Sequence, residues 1–150
     1  MEYAIVPMTE THLDQVEALE QVIFSSEAWS RWLLEEMCAA SGTIALVAAA
    51  PDGTVLGYVC AQAVLDEGNL DNMVVRPQSR RQGVGSALLE AMSRLAQKKG
   101  LRFLTLEVRA SNAGAQALYI KHGYQPVGRR KHYYSSPKED AILMTLEFTP

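Results

Sequence analysis

Residues 80–86, Arg-Arg-Gln-Gly-Val-Gly-Ser, combine residue types that are suited to holding an anion. Two glycines one residue apart let the backbone approach a ligand closely, and the start of a helix leaves several N–H groups unpaired. Those N–H groups, the positive end of the helix dipole and two adjacent arginines all favour a phosphate-sized anion. The stretch therefore predicts a phosphate-binding loop at a helix N-terminus.

The spacing of these residues narrows the class of ligand. The pattern Arg80-x-x-Gly83-x-Gly85 differs from a dinucleotide fingerprint, which needs a third glycine where Leu88 stands. The Gly-x-x-x-x-Gly-Lys-Ser/Thr run of a P-loop is absent from the sequence as well. The alternative is a glycine-containing loop that only opens a helix. Its place between a short apolar run and a long amphipathic pattern favours the phosphate site.

A second group of candidate residues lies between residues 106 and 119. Glu107 interrupts an apolar strand pattern, and two-residue alternation places it on the face opposite its apolar neighbours. Taken singly, each candidate has an ordinary role: Glu107 as a solvated strand residue, Ser111 or Asn112 as a helix cap, and Tyr119 as a half-buried aromatic. Only the group as a whole indicates chemistry, because a carboxylate and a phenol can together move protons.

Composition excludes several classes of protein. The chain has 150 residues, 48% of them hydrophobic and 21% charged, which is typical of one globular domain. The formal net charge of −3 argues against a general affinity for nucleic acid. Apolar runs fall short of the ~20 residues that cross a bilayer, so no membrane association is expected. The N-terminus lacks the features of a signal peptide.

The cysteines and histidines give no sign of a metal site. Cys38 and Cys60 lie in apolar sequence without paired spacing, and His12, His122 and His132 add no metal-ligand pattern. The two cysteines are expected to be buried, reduced thiols. A cytoplasmic location and the absence of a metal cofactor are therefore predicted.

Hydrophobic periodicity predicts one continuous α/β arrangement without linkers or repeats. Thr11 and Asp14 resemble a capping box that starts the first helix, and residues 51–54, Pro-Asp-Gly-Thr, indicate a hairpin turn. Predicted strands cover Tyr3–Met8, Thr43–Ala50, Val55–Leu65, Leu70–Val75, Phe103–Val108, Gln125–Tyr133 and Ala141–Phe148. Further helices are predicted at Ser30–Cys38, from the glycine loop to Lys98, and at Ala113–His122. Antiparallel strands followed by a βαβαβ section predict a mixed sheet with helices on both faces.

These motifs resemble a known family. The glycine loop is similar to the pyrophosphate-binding signature of the GNAT acetyltransferases, which hold acetyl-coenzyme A. Residues 107–112, Glu-Val-Arg-Ala-Ser-Asn, followed by Ala-Leu-Tyr at 117–119, resemble a bacterial branch, the ribosomal-protein-alanine N-acetyltransferases. The resemblance covers most of the chain from about Val55 onward. It implies a single GNAT domain over residues 1–150, with a mixed, mostly antiparallel splayed sheet of about seven strands flanked by four helices.

The resemblance also implies roles for individual residues. Glu107 would be the general base and Tyr119 the general acid. The coenzyme-binding residues that it implies are Met73, Val74, Val75, Arg80, Arg81, Gln82, Gly83, Val84, Gly85, Ser86 and Asn112. One departure concerns the substrate side, where Ala28-Trp29-Ser30 replaces the Pro-Trp-Ser usual in the branch.

The expected reaction is acetylation of a protein N-terminal α-amine, with the N-terminal alanine of a small-subunit ribosomal protein as the family substrate. An α-amine has a pKa of about 7.7–8.0, so a single carboxylate is a plausible base for it. Because no cysteine or histidine is placed to form an acyl-enzyme, direct transfer in a ternary complex is favoured. The alternatives are acetylation of lysine side chains or small amines, and a non-catalytic acetyl-coenzyme A-binding module. The expected assembly is a monomer or a weak dimer.

Overall fold

A seven-stranded sheet with helices on both faces forms the framework of the molecule. The computed structural model describes residues 2–135 and 137–148. The strands are β1 (Ala4–Pro7), β2 (Thr43–Ala49), β3 (Val55–Val64), β4 (Glu67–Val75), β5 (Phe103–Arg109), β6 (Gln125–Ser135) and β7 (Lys138–Glu147). The α-helices are α1 (Leu13–Phe24), α2 (Arg31–Ala39), α3 (Val84–Lys98) and α4 (Ala113–Lys121). Short 3₁₀ helices occupy Glu10–His12, Ser25–Glu27 and Pro77–Ser79.

The sheet opens between β4 and β5. Its strand order is β1-β2-β3-β4-β5-β7-β6, and every neighbouring pair is antiparallel except β4 and β5. These two strands pair only over Glu67–Asn69 and Phe103–Thr105. Within the described residues no further pair joins them, so they diverge toward their carboxyl ends. The predicted mixed, mostly antiparallel splayed sheet is confirmed.

Two apolar layers cover the faces of the sheet. On β2, Leu46 and Ala48 belong to the layer under α3 and α4, whereas Val47 belongs to the layer under α1 and α2. This alternation follows from the two-residue period of a strand. On β3, residues 55–61 are all buried, because both faces of that strand are covered. Their uninterrupted apolar sequence is typical of such a strand.

The start of the first helix differs from the prediction. A capping box between Thr11 and Asp14 is wrong, because a 3₁₀ turn precedes α1 and takes its own cap at Thr9. The backbone N–H of Thr9 donates to Nδ1 of His12 at 3.0 Å. The imidazole nitrogen thus plays the part that a glutamate or glutamine plays in the usual capping box.

The connections around β4 and β7 also differ from the prediction. Strand β4 begins at Glu67 rather than Leu70, because the chain reverses within the two residues after β3, where Leu65 has a φ of 57°. The predicted βαβαβ section is interrupted in space, because β7 pairs with both β5 and β6 and separates them.

Candidate active site

The divergence of β4 and β5 opens a cleft of about 930 Å³ beside the carboxyl halves of the two strands. Its walls also include the first turn of α3, part of α4, and residues from the segment that joins α1 to α2. Crevices at the carboxyl ends of parallel strands are the usual ligand sites of open α/β sheets. The candidate site therefore lies where the sheet is incomplete.

The start of α3 presents unpaired backbone donors to this cleft. Gly83 is the N-cap of α3 and has a φ of 79°. Arg81, two residues earlier, has a φ of 64°. The first intrahelical hydrogen bond runs from the N–H of Ala87 to the carbonyl of Gly83 at 2.9 Å. The N–H groups of residues 84–86 precede that bond and lie beside the cleft. The free N–H groups and the positive end of the helix dipole both suit a phosphate group at this position.

Gly85 is required for close packing rather than for a special backbone angle. A Cβ atom at this position would lie 3.2 Å from Leu118 Cδ2, and it would also approach the side chains of Val75 and Met73. A side chain here would require that of Leu118 to give way by a few tenths of an ångström, whereas the approaches to Val75 and Met73 are ordinary van der Waals contacts. The glycine therefore keeps the phosphate-binding turn close to the strand that lines the cleft.

Basic side chains surround the start of α3. Arg80, Arg81 and Lys121 all line the cleft there. Nε2 of His122 lies 2.9 Å from Oγ of Ser86, which links the end of α4 to the first turn of α3. This concentration of positive charge makes this part of the cleft electrostatically suited to a polyanion.

Carboxylates line the cleft further from α3. Glu107 lies on β5, and Asp71 lies on β4 at a β-bulge where the register with β3 shifts. Burial raises the pKa of Asp71 and the charge of Glu107 raises it further, although a hydrogen bond from Asn69 opposes both effects. A hydrogen bond to Glu107 raises the pKa of the Tyr133 hydroxyl. The site thus separates positive charge at α3 from negative charge at Glu107.

Tyr119 lies on α4 and lines the cleft from the α3 side of the sheet. Its side chain is buried, and its ring packs edge-to-face on Tyr124 with 5.7 Å between the ring centroids. Burial raises the pKa of Tyr119 to about 12. Its phenol therefore carries its proton at neutral pH and is available as a proton donor.

Asn112 has a structural role that the sequence suggested as an alternative. Its side-chain oxygen accepts a hydrogen bond from the N–H of Ala115 at 3.1 Å, which caps α4. The same residue also lines the cleft. Its predicted role in binding the coenzyme stays a prediction.

Arg109 ties four elements together at the Glu107 side of the cleft. Its guanidinium lies 2.9 Å from Glu27 and 3.3 Å from Glu139, which are on the segment after α1 and on β7. It also lies over the ring of Tyr134 on β6, 4.3 Å from the ring centroid. These contacts hold the segment after α1 and the strands β6 and β7 against β5.

Most of the residues named from the sequence converge on this one cleft. Glu107 and Tyr119 both line it. The predicted coenzyme-binding residues that line it are Met73, Val75, Arg80, Arg81, Gly83, Val84, Gly85, Ser86 and Asn112. Gln82 is exposed outside the lining. Val74 points to the opposite face of β4 and packs in the layer under α1 and α2, so only its backbone faces β5.

Sequence reasoning missed two acidic residues near the cleft. Asp71 carried a signal, since an aspartate in the apolar run 70–75 is unusual for a strand. Glu20 carried a stronger one, because it falls on the buried stripe of α1 together with Leu13 and Val16. A charged residue on such a stripe predicts a buried polar partner.

Two further properties of the described residues bear on function. Within residues 2–135 and 137–148, no group of three or more His, Cys, Asp or Glu side chains is arranged to hold a metal ion. In the same part of the chain, every helix is too short or too polar to span a membrane.

The splayed sheet and the helix start at its opening define a ligand-binding α/β domain. The chain belongs to the acetyltransferase (GNAT) family, whose sequence model matches residues 13–124. The predicted family is thereby confirmed.

Curated relatives belong to one branch of that family. Over 97 residues the chain is 44% identical to the [ribosomal protein bS18]-alanine N-acetyltransferase of Escherichia coli (strain K12). Over 93 residues it is 42% identical to a protein of Bacillus subtilis (strain 168) described as a putative [ribosomal protein bS18]-alanine N-acetyltransferase. The matches cover 63% and 62% of this chain but only 66% and 62% of the two relatives, which is less than two thirds of their length.

The similarity of the folds extends further than the sequence matches. The crystal structure of the ribosomal-protein-S18-alanine N-acetyltransferase from Escherichia coli superposes with a TM-score of 0.91 and 33% sequence identity. That superposition covers 99% of this chain and 96% of the other. The shared fold therefore extends over parts of the chain that the matches of the curated relatives leave out.

Proposed function

We propose that this chain transfers an acetyl group from acetyl-coenzyme A to the N-terminal α-amine of a protein, in a ternary complex. The observation that carries the proposal is the polarity of one cleft. It holds a phosphate-binding helix start beside Arg80 and Arg81, and it also holds a carboxylate and a buried phenol, Glu107 and Tyr119. An acyl donor that combines a polyanionic part with a reactive acyl group needs both kinds of group: N–H and basic groups for its phosphates, and groups that move protons for the reaction.

The residues of the cleft fit acetyl-coenzyme A. The N–H groups at the start of α3 and the surrounding basic side chains would bind its phosphates, and the diverging edges of β4 and β5 would receive its extended arm. When bound, acetyl-coenzyme A supplies a thioester-activated acetyl group. The backbone edge at Met73–Val75 would offer N–H groups to stabilise charge on the thioester oxygen.

Two side chains are proposed to move protons. Glu107 would accept a proton from the amine substrate, directly or through a water molecule, and so make the nitrogen nucleophilic. Tyr119 would donate a proton to the departing sulfur. Its pKa of about 12 keeps the phenol protonated at neutral pH. The departing sulfur is the conjugate base of a thiol with a pKa near 8.5, so it takes up a proton as it leaves. The two groups face the cleft from different elements, so one can act on the amine and the other on the sulfur.

The choice of substrate rests on relatives and on chemistry. The Escherichia coli relative is named as an N-acetyltransferase of alanine in ribosomal protein bS18. We infer that a protein N-terminus, with an amine of pKa about 7.7–8.0, is also the substrate here, because one carboxylate suffices to deprotonate it. A lysine side chain, with a pKa of about 10.4, makes a greater demand on the base.

A panel of amines tests this assignment. Peptides with different N-terminal residues, an α-blocked lysine peptide and polyamines are assayed for coenzyme A release with acetyl-coenzyme A. The expected result is the highest kcat/KM for a peptide that begins with the alanine sequence of the bS18 protein from the same genome. Higher kcat/KM for the blocked lysine peptide or a polyamine would assign the enzyme to those substrates. Coenzyme binding without turnover on any amine would indicate a binding module.

A further inference from the structure

A buried carboxylate lies behind the wall of the cleft, outside the groups used above. Glu20 on α1 has no exposed surface and is surrounded by the apolar layer under α1 and α2. Burial raises its pKa, and hydrogen bonds from Trp29 and Tyr58 oppose that effect. A buried charge is costly unless its hydrogen bonds are complete.

Both oxygens of Glu20 accept hydrogen bonds from separate elements. Oε1 accepts from the backbone N–H of Trp29 at 2.9 Å, in the segment between α1 and α2. Oε2 accepts from the hydroxyl of Tyr58 on β3 and from Nδ2 of Asn72 on β4. Two of the three partners, Trp29 and Asn72, line the cleft. A single side chain therefore connects two of its walls.

The network fixes which way the Asn72 amide faces. The proton of Tyr58 is used toward Glu20, so the oxygen of Tyr58 can only accept, and it does so from Nδ2 of Asn72 at 3.0 Å. A carboxylate also accepts and does not donate. Both inner partners thus require the NH₂ group of Asn72. Its carbonyl oxygen occupies the other branch of the planar amide, away from them.

We propose that Asn72 is a specificity-determining residue, whose side-chain carbonyl accepts a hydrogen bond from an N–H of the amine substrate, and that Glu20 is the positioning residue that orients it. The inference rests on the proposed function for the identity of the substrate. An N–H acceptor suits that substrate because a peptide N-terminus brings an amine and a backbone N–H within one residue. The Trp29 bond to the same carboxylate fixes the neighbouring wall of the substrate side.

Steady-state kinetics of Glu20→Gln test the orientation. A glutamine keeps an acceptor oxygen on only one of the two sides that Glu20 serves. The backbone N–H of Trp29 cannot turn, so that oxygen stays on Trp29 and the NH₂ group faces Tyr58 and Asn72. The Asn72 amide then turns over and offers its NH₂ group to the cleft. The expected result is a rise in KM for the amine substrate of about tenfold, the size of one hydrogen bond. The KM for acetyl-coenzyme A should change less than twofold. An equal rise in both KM values would overturn the proposal.

A double-mutant cycle tests whether Glu20 acts through Asn72. Asn72→Ala removes the carbonyl and should raise the KM for the amine by a similar factor. Adding Glu20→Gln to Asn72→Ala should then raise that KM no further. If the two effects multiply, Glu20 acts by another route and the assignment fails. Val16→Ala is the control, because Val16 is fully buried one turn earlier on α1 and outside the network. It should lower the melting temperature without changing the KM for the amine.

A measurement on the unaltered chain separates this inference from the proposed function. In nuclear magnetic resonance spectra, the side-chain NH₂ of Asn72 should exchange with solvent at least tenfold more slowly than that of an exposed asparagine. Fast exchange would overturn the inference whatever the substrate is. If N-terminal peptides give no turnover and another amine does, the proposed function fails. The kinetic cycle is then run with that amine and still decides the role of Asn72.

Discussion

The start of α3 and the Glu107 side of the cleft differ in how far apart along the chain their parts lie. The phosphate-binding end is formed by the consecutive residues 80–86. The other end joins residues that are 82 positions apart at Arg109 and Glu27, and 52 apart at Asn72 and Glu20. One end is a property of the local backbone, whereas the other exists only after distant segments have packed. Substitutions at the two ends of the cleft should therefore have different effects on the protein.

The largest effect is expected at Glu107. Glu107→Gln keeps the shape of the side chain but removes the base, so turnover at neutral pH should fall by roughly 10² to 10⁴. Much of that loss should be recovered at high pH, where the α-amine is already deprotonated. The pH profile of kcat/KM checks this, with coenzyme binding as the control for folding. Near wild-type turnover at neutral pH would reject Glu107 as the base.

Tyr119→Phe should cause the next largest effect. Removing the hydroxyl takes away the proton donor without opening a cavity, so turnover should fall by about 10² while the affinity for acetyl-coenzyme A is nearly unchanged. Because the leaving sulfur still lacks its proton, high pH should not restore the rate. A recovery at high pH as large as that of Glu107→Gln would show that the two residues do not have separate roles.

Two glycine variants test the phosphate-binding end of the cleft at the start of α3. Gly83 and Gly100 have φ values of 79° and 83°, so alanine is strained by a similar amount at both, about 1–2 kcal/mol. Only Gly83 lies in the cleft. At a hundred times its dissociation constant, acetyl-coenzyme A should stabilise the unaltered chain by ~2.7 kcal/mol. Gly83→Ala should reduce that stabilisation, and Gly100→Ala should leave it intact. Equal thermal shifts for the two variants would contradict a phosphate site at α3.

Glu27→Gln should have a small effect that is confined to the Glu107 side of the cleft. It weakens the ion pair with Arg109, which is partly exposed and worth about 0.2–1 kcal/mol. The KM for the amine substrate should rise at most about fivefold, while the KM for acetyl-coenzyme A should stay constant. Removing the more exposed pair between Arg102 and Asp66 by Asp66→Asn is the matched control and should alter neither value. A change in coenzyme KM with Glu27→Gln would mean that the two ends are coupled.

The smallest effect, on stability, is expected from Asp71. Its pKa is raised in the folded protein, so ionisation opposes folding. Stability contributed by the protonated form is therefore present at low pH and is lost as pH rises through the folded pKa. Asp71→Asn should stabilise the fold at neutral pH and make no such difference at pH 3. Melting temperatures of both proteins across that range check the sign. Destabilisation at neutral pH would show that a favourable contact of the charged form was lost.

The same contrast explains what could be predicted from the sequence. The order of strands and helices followed from local periodicity, the glycine loop from its spacing, and the pairing of Glu107 with Tyr119 from the family resemblance. The structure confirms the order of strands and helices, whereas the roles of the site residues stay predictions.

The other features of the fold and the site depend on long-range contacts, which leave no local pattern in the sequence. Nothing in the sequence around Thr9 and His12 indicates that these residues cap a 3₁₀ turn ahead of α1, in place of a capping box between Thr11 and Asp14. The insertion of β7 between β5 and β6 is set by long-range pairing. The partners of Glu20 lie on three other elements, so its burial could be expected from α1 but its hydrogen bonds could not.

The position of β7 has a consequence for the order in which the molecule is completed during synthesis. In the described sheet β6 pairs with β7 alone, and β5 relies on β7 along its full length. A nascent chain that has reached residue 135 therefore carries β6 without any partner strand. Arg109 also lacks Glu139 at that stage. Chains grow at about 5–20 residues per second, so the addition of residues 136–147 delays the closed site by about a second. Catalytic competence should arrive in a single late step rather than gradually.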